Sequence, residues 1–263
     1  MTDTLNFSNS NLRTAIDIGN TRVHIGVICI DDMKCICRMD FPSAETLEKI
    51  IPSIETCIKK LNFSFFPPVI MASVKTSFGS EVSDLIRKNF GSCTVVTYSD
   101  SLPFKVHYRN PHQLGADRIA DLLFAFHQYP DDTTIIINAG TAIRVELLDK
   151  GIFRGGVIFP GITAQLRSLY DSTDALPDLH LENTWVIPGN STEECMRGGV
   201  LAATAGALNH IVAKYTEQSE GQPGILATGG SWFLLAKEVS FHYTYVADMT
   251  LIGSALFGCR GRT

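Results

Sequence analysis

The sequence predicts an α/β protein built from two lobes. Apolar, β-branched segments of strand length alternate with amphipathic segments of helix length, an order typical of α/β folds. Glycine turns follow several of these strands, at the strand ends where α/β proteins bind their ligands. A strand, glycine turn, strand pattern occurs near residue 17 and again near residue 138, as expected of a duplicated lobe.

The first half of the chain opens with paired strands. In residues 14–30, TAIDIGNTRVHIGVICI, side chains alternate around a Gly-Asn turn, which predicts a hairpin. Residues 43–61 have helical spacing after a serine N-cap, and Pro52 is expected to kink or split that helix. Further along, PVIMASV and CTVVTYS are predicted strands and SEVSDLIRKNF a predicted helix. Residues 115–129 predict a helix with an apolar stripe.

The second half repeats the opening pattern. In TTIIINAGTAIRVELLD the order apolar, Asn, apolar, Gly places Asn138 in the register of Asp17. GGVIFPGI follows, then a helix of small residues around 195–214, then GILATGGS, a strand that ends in a Gly-Gly turn before another helix. The expected division is a polar leader of residues 1–12, an N-terminal lobe of residues 13–128 and a C-terminal lobe of residues 129–263.

Composition narrows the possible functions. A net charge of -5 with 19% charged residues gives no basic excess for binding nucleic acid. The apolar stretch at residues 198–213 is shorter than the roughly 20 residues that span a membrane, and residues 1–12 lack the features of a signal peptide. The seven cysteines are scattered, so we expect reduced thiols in a cytoplasmic protein and no cysteine metal site.

DIGNT and NAGTA are candidate phosphate-binding turns. A glycine among small polar residues lets backbone N–H groups point at a phosphate, and Asp17 could hold Mg²⁺ directly or through water. Taken alone, Gly19 and Asn20 are better explained as an ordinary type I′ hairpin turn. Two turns in matching register, together with ATGG, favour nucleotide binding. Neither a GxxxxGK[ST] nor a GxGxxG string occurs, so the common phosphate-loop motifs are excluded.

Two glycine hairpins around a phosphate chain point to the actin, Hsp70 and sugar-kinase (ASKHA) architecture. DIGNTRVHIGV, YRNPHQLGADR, NAGTA, GGVIFPG and STEECMRGGV, in this order and spacing, resemble the motifs of type III pantothenate kinases. The resemblance covers residues 13–260 and implies two ribonuclease H-like lobes, each with a mixed sheet flanked by helices. It also implies a cleft where ATP and pantothenate meet, and a homodimer for which the helix at 195–214 is a plausible contact surface.

The resemblance implies ATP-dependent phosphorylation of pantothenate to 4′-phosphopantothenate, the first step of coenzyme A biosynthesis. Asp117 would be the general base, and Asp17 would bind the Mg²⁺ that accompanies ATP, through water. The implied ATP-binding residues are Asp17, Ile18, Gly19, Asn20, Thr21, Arg22, Val23, His24 and Thr141. The implied pantothenate-binding residues are Tyr108, Gly115, Ala116, Asp117, Arg118 and Thr192. No chemistry of its own is assigned to His24.

The residue types permit these roles and simpler ones as well. A carboxylate at a helix N-terminus can accept a hydroxyl proton, while Arg118 can bind a carboxylate in bidentate fashion. In isolation, however, Asp117 and Arg118 are more often a helix cap and a surface ion pair. Tyr108 alone is more often a packing residue, and Thr192 alone more often an N-cap. Their assigned roles depend on the resemblance.

Two positions depart from the family pattern. Members usually have Asp at position 138, as a ligand for an activating cation such as K⁺ or NH₄⁺, and Thr-x-Asp where this chain has Arg144-Val145-Glu146. Asn138 offers a carbonyl oxygen without charge, so a cation site is expected to be weaker or absent. Arg144 could replace the cation with a fixed guanidinium. Alternatively, Arg144 and Glu146 form only a local pair, because strand alternation places both on one face.

Two other functions stay open. A weakly active or inactive kinase homologue could act as a ligand-binding regulator, although Asp17, Asp117 and Arg118 are residues that such a homologue would be free to lose. Another sugar or acid kinase of the same architecture is also possible. GADR with its upstream Tyr-x-Asn-Pro argues against that alternative.

Overall fold

The computed structural model describes residues 11–43, 47–182 and 185–259. The leader predicted for residues 1–12 lies almost wholly outside the described residues. The chain divides into two compact units. Unit 1 comprises the described residues up to Gln128 together with those from Asp248 onward, and unit 2 comprises Tyr129–Ala247. The sequence predicts a C-terminal lobe that extends to residue 263, whereas in the structure the last helix, Met249–Ala255, belongs to unit 1.

Unit 1 is a mixed sheet with helices on both faces. The strands of this sheet are β1 (Leu12–Ile18), β2 (Arg22–Cys29), β3 (Lys34–Pro42), β4 (Val69–Ser73) and β5 (Cys93–Val95). The short strand β6 (Lys105–Val106) follows in the chain but is not part of this sheet. The helices of unit 1 are α1 (Leu47–Lys60), α2 (Thr76–Phe90), α3 (Ala116–Gln128) and α7 (Met249–Ala255), with a 3-10 turn at Pro111–Gln113. The order is β3-β2-β1-β4-β5, with β1 antiparallel to β2 and parallel to β4.

Alternation along β1 and β2 divides the side chains of unit 1 between two layers. Ile16, Ile18, Val23 and Ile25 are fully buried in a core shared with α1 and α2. Helices α3 and α7 pack together over the opposite face of the sheet. The predicted strands and helices of this unit are therefore present, and the helix predicted at residues 115–129 is confirmed as α3.

Helix α1 contains Pro52, which was predicted to kink or split it. The helix runs without interruption from Leu47 to Lys60, so Pro52 does not split it. Proline removes one backbone donor, but the apolar stripe of Ile50, Ile54, Cys57 and Ile58 is buried on both sides of it. Burial of this stripe compensates for the missing hydrogen bond.

Unit 2 repeats the strand plan of unit 1. Its strands are β7 (Thr133–Ala139), β8 (Ala142–Asp149), β9 (Ile152–Pro160), β10 (Gly224–Thr228) and β11 (Thr244–Tyr245), and its helices are α4 (Ile162–Asp171), α5 (Thr192–Gln218) and α6 (Trp232–Leu235). These strands are ordered β9-β8-β7-β10-β11. As in unit 1, the central strand is antiparallel to the next strand in the chain and parallel to the strand on its other side. The shared plan agrees with a duplication.

One face of the unit 2 sheet packs on α4, α5 and α6 through an aliphatic core that includes Ile135, Ile137, Val145 and Leu208. The 27-residue helix α5 supplies a large part of this core, and it contains the small-residue helix predicted around 195–214. No helix in the described part of the chain is both long and apolar enough to cross a bilayer.

Candidate functional site

The first glycine turn, residues 19–22, joins β1 to β2. Ile18 and Val23 are the last paired residues, and Gly19 N donates to Arg22 O over 2.9 Å. Neither Gly19 nor Asn20 is among the described residues with positive φ. A type I′ turn needs positive φ at both central residues, so that interpretation of the turn is wrong. Residues 20–22 are exposed, and the turn therefore presents backbone groups to solvent.

Three hydrogen bonds from other segments of unit 1 support the first turn. Ser43 Oγ donates to Asn20 O over 2.7 Å, and Ser43 N donates to Thr21 O over 2.9 Å. Val74 N, just beyond β4, donates to Ile18 O over 3.1 Å. Because the partners come from two different strand ends, the turn is fixed by the sheet as well as by its own bond.

A row of ionisable side chains crosses the sheet beside this turn. Asp17 pairs with His24, and His24 pairs with Asp40, so the three residues share one face. His24 Nδ1 lies 2.5 Å from Asp40 Oδ1, and Arg38 Nε donates to the same carboxylate over 2.8 Å. Burial opposes ionisation of Asp40, but the hydrogen bonds from His24 and Arg38 outweigh it and lower the pKa of Asp40 to about 2. Arg38 also donates to Asp248, the residue before α7.

The predicted substrate residues of unit 1 meet at the N-terminus of α3. Arg118 is 6% exposed, and its guanidinium carbon lies 5.3 Å from the ring centroid of Tyr108. Its Nη1 donates to the Tyr108 hydroxyl over a long 3.4 Å. Asp117 Oδ1 accepts from Arg118 N over 2.8 Å, which orients the carboxylate at the positive end of the helix. Asp117 is the second residue of α3 and lies in its first turn, and a surface ion pair is wrong for the buried Arg118.

A cavity of about 590 Å³ opens beside these residues within unit 1. Gly115 and Ala116 line it, together with Lys75, Arg87 and His112. The cavity walls also carry several hydroxyl groups from the ends of β4 and β5 and from α2. The start of the GADR motif is therefore accessible from a polar cavity that has basic side chains on its wall.

The second glycine turn, residues 140–142, joins β7 to β8. Ala139 pairs with Ile143, and Gly140 N donates to Ala142 O over 3.1 Å. Thr141 is exposed at the tip, and its carbonyl accepts from Gly161 N over 2.9 Å. Ser231 N, in the turn that follows β10, donates to Ala139 O over 3.0 Å. The ATGG turn therefore lies directly beside the NAGTA turn.

Asn138 and Arg144 are directly opposite each other on β7 and β8, so their side chains share one face. Arg144 is 8% exposed, and Glu146, on the same face, is 2% exposed. A buried guanidinium across from Asn138 disfavours a second positive charge, and the amide contributes no negative one. Asn138 and Arg144 by themselves therefore offer a monovalent cation no negative charge at position 138.

Thr192 is the first residue of α5 and is exposed. The N-cap is Ser191, whose side chain accepts from Glu194 N over 3.2 Å, while Asn190 N donates to Glu194 Oε2 over 2.8 Å. The simpler interpretation of Thr192 as an N-cap is therefore wrong. Its hydroxyl is not required to start the helix, and it remains accessible to a ligand.

A family model described as type III pantothenate kinase matches residues 14–214, which include both glycine turns and the GADR motif. The chain belongs to the type III pantothenate kinase family. A type III pantothenate kinase from Chlorobaculum parvum is 30% identical over 243 residues, which cover 87% of this chain and 87% of that protein. Membership of this kinase family implies ATP and a divalent metal as participants.

Two solved structures show the same fold as this type III pantothenate kinase family member. The activator of the 2-hydroxyisocaproyl-CoA dehydratase from Clostridium difficile, with bound ADPNP, has a TM-score of 0.54 at 11% identity, covering 94% of this chain and 93% of that one. The ROK hexokinase from Thermus thermophilus has a TM-score of 0.50 at 11% identity, and the match covers 93% of this chain and 97% of that one. The predicted ASKHA architecture, with two mixed sheets flanked by helices, is confirmed.

The carboxylate beside the first turn fits the divalent metal that is expected in a type III pantothenate kinase. Asp17 is a partly exposed carboxylate next to the turn, and Mg²⁺ uses one or two carboxylates while keeping several waters. The described residues contain no cluster of three His, Cys, Asp or Glu side chains suited to a metal. A metal bound here would therefore take its other ligands from phosphate and water.

Two residues near the first turn, Ser43 and Asp40, were not identified from the sequence. Ser43 was interpreted only as a helix cap, yet its hydroxyl and backbone N–H both donate to the turn; α1 begins at Leu47, and residues 44–46 lie outside the described residues. Asp40 was not identified at all, although it pairs with His24. Both residues lie far from the turn in sequence, and only the pairing of β3 with β2 brings them there.

Proposed function

We propose that this protein transfers the γ-phosphoryl group of ATP to the primary hydroxyl of pantothenate and so forms 4′-phosphopantothenate, the first step of coenzyme A biosynthesis. The observation that supports this most directly is the arrangement at the start of α3. There, an oriented carboxylate on Asp117 adjoins a buried guanidinium on Arg118, which stacks on Tyr108. Membership of the type III pantothenate kinase family supplies the substrate.

In the proposed mechanism, Asp117 accepts the proton of the pantothenate hydroxyl. The hydroxyl oxygen then forms the new bond to the γ-phosphorus, the bond from that phosphorus to the bridging oxygen breaks, and ADP leaves. Arg118 binds the carboxylate of pantothenate, while Tyr108, Gly115, Ala116 and Thr192 contribute to its binding site. Phosphoryl transfer asks a protein mainly for positioning and charge neutralisation, which these roles provide.

We assign the phosphates of ATP to the residues around the glycine turns. The ATP-binding set is Asp17, Ile18, Gly19, Asn20, Thr21, Arg22, Val23 and His24 in unit 1, with Thr141 in unit 2. Backbone N–H groups of such turns can donate to phosphate oxygens without interference from a Cβ. Asp17 would hold Mg²⁺ through water, and the metal, when bound, neutralises charge on the phosphates.

Replacing the proposed base tests the reaction. The protein is assayed with ATP, Mg²⁺ and pantothenate, and Asp117→Asn is expected to lower kcat by at least about a hundredfold, since general bases contribute roughly 10²–10⁴-fold. Binding of ADP, measured by calorimetry, should stay close to wild type, because Asp117 is not assigned to the nucleotide. Asp131→Asn, an exposed residue of unit 2, is the matched control and should turn over normally.

Two outcomes would contradict this assignment. Wild-type turnover by Asp117→Asn would place the base elsewhere. A wild-type protein that binds ADP and pantothenate without forming product would instead be a ligand-binding homologue of the kinases.

We further propose that catalysis does not depend on K⁺ or NH₄⁺. Asn138 lacks the charge that a cation ligand would supply, and the guanidinium of Arg144 lies opposite it on the same face of the sheet. An arginine charge is permanent at any ordinary pH, so it can supply the positive charge that a bound cation supplies elsewhere.

We also propose a cytoplasmic homodimer. All seven cysteines are free thiols, as a reducing compartment would maintain them. Helix α5 exposes a stripe of small residues at helical spacing, Gly199, Ala202, Ala203 and Gly206. A Cβ added at Gly199 or Gly206 would meet nothing within 4 Å, so a second helix can approach this face closely. Units 1 and 2 are the two lobes of each subunit.

A further inference from the structure

Lys75 is connected to the first glycine turn through Ser43. Lys75 Nζ donates to Ser43 Oγ over 2.9 Å, and Ser43 Oγ donates in turn to Asn20 O over 2.7 Å. Ser43 is 7% exposed, so water competes little for these two bonds. A hydrogen bond from a charged donor is stronger than one between neutral groups. The position of the Asn20 peptide therefore depends on the ammonium of Lys75.

The backbone at Lys75 is fixed on both sides. Ser73 Oγ accepts from Lys75 N over 3.1 Å and donates to Lys75 O over 3.0 Å, while Gly79 N donates to Lys75 O over 2.7 Å. A Cβ on Gly79 would lie 2.7 Å from Ser73 Oγ, so only glycine lets α2 approach so closely. Val74 N bonds to Ile18 O at the start of the turn. The lysine side chain thus extends from a rigid base.

Helix stability does not explain a lysine at this position. Lys75 is the N-cap of α2, where Ser, Thr, Asp and Asn are preferred, and its side chain makes no capping hydrogen bond. A positive charge at the positive end of the helix dipole is unfavourable. In the part of the chain that the structure describes, no salt bridge joins Lys75 to a carboxylate. Neither helix capping nor a salt bridge therefore explains the positive charge of Lys75.

The same side chain lines the cavity that reaches the substrate motif. Lys75 contributes to the wall of the 590 Å³ cavity, together with Gly115 and Ala116. One lysine therefore lines the cavity that Gly115 and Ala116 also line, and is linked through Ser43 to the turn proposed for the phosphates of ATP. The cavity residues and the turn both belong to unit 1.

We propose that Lys75 is a positioning residue for phosphoryl transfer, which orients the first turn through Ser43 and adds a positive charge behind the phosphates bound there. This rests on the proposed function, since it takes the first turn as a phosphate-binding element. The ligand is the anionic phosphate chain of a nucleotide. Neither the fixed backbone nor the helix cap requires the ammonium.

A double-mutant cycle tests this role. Calorimetric titration with ADP and Mg²⁺ is expected to show affinity about tenfold weaker for Lys75→Met, comparably weaker for Ser43→Ala, and no further loss in the double variant. In turnover assays Lys75→Met should raise the KM for ATP and lower kcat, with the KM for pantothenate within about twofold of wild type. Lys75→Arg should recover most of the affinity.

Lys88→Met, an exposed lysine on the same helix, is the matched control and should leave both affinity and turnover unchanged. Unchanged ADP affinity in Lys75→Met, additive losses in the double variant, or an effect confined to the KM for pantothenate would each overturn the assignment. Ser43→Ala gives an independent result should Lys75→Met fold poorly. Wild type that binds ADP but does not phosphorylate pantothenate would refute the proposed function while leaving the affinity cycle valid.

Discussion

At the residue scale, both sheets place a basic side chain opposite the residue that lies two positions before the glycine of the turn. In unit 1 the pair is Asp17 and His24, and in unit 2 it is Asn138 and Arg144. The guanidinium keeps its charge at any ordinary pH. The duplicated position has therefore exchanged a carboxylate opposite an imidazole for a neutral amide opposite a permanent cation.

This exchange predicts how monovalent cations affect turnover. Wild-type initial rates in KCl and in tetramethylammonium chloride, at equal ionic strength, should agree within about twofold if, as we propose, Arg144 supplies the charge. Arg144→Met should become dependent on K⁺, whereas Arg144→Lys, which keeps a charge, should not. Circular dichroism of each variant checks that the buried substitution has not unfolded the sheet. A strong K⁺ requirement in wild type would refute the role of Arg144.

The sequence located the GADR motif and both turns because each is a short local string. It could not show that Arg118 is buried against Tyr108, since that contact depends on where the chain before α3 lies. The support that Ser43 and Lys75 give to the first turn is likewise tertiary. Local composition records the groups that can bind a phosphate, but not the groups that hold them in position.

At the element scale, the central strands and long helices were predictable because their apolar periodicity is strong. Strand β3 was missed, since most of its side chains are partly or fully exposed and its charged residues obscure any alternation. Strand β5 spans only Cys93–Val95, less than the CTVVTYS segment suggested. Both are edge strands, which bury less of their surface and so give a weaker pattern.

The close contact between α3 and α7 allows a prediction about the stability of the protein. A Cβ at Gly253 of α7 would lie 1.8 Å from Ala120 O of α3, far inside van der Waals contact. Gly253→Ala must separate the helices and should destabilise the protein by about 3 kcal/mol, the upper part of the usual range for overpacking. The midpoint of urea unfolding measures the loss.

Gly224→Ala is the matched control, because a Cβ there meets nothing within 4 Å. It should change stability by no more than about 0.5 kcal/mol. Equal midpoints for the two variants would show that α7 does not pack against α3 as closely as described.

At the scale of the whole molecule, the exposed stripe on α5 predicts an oligomer. Wild type should sediment as a dimer at micromolar concentration, since small side chains permit two helices to pack closely. Ala203→Arg should give monomers by placing a long charged side chain in that contact, while Ala175→Arg, exposed outside α5, should leave the dimer intact. A wild-type monomer at micromolar concentration would contradict the proposed assembly.

Unit 2 lies between two segments of unit 1 in the chain, after α3 and before α7. During synthesis, therefore, β1 to β5 and α3 leave the ribosome long before the helix that completes their core. The face of β1 and β2 that α7 covers stays open while residues 129–247 are made. Domains usually fold in the order in which they are translated. The first sheet to be synthesised is thus the last to be completed, and a ribosome that stalled within unit 2 would leave the α7 side of that sheet uncovered.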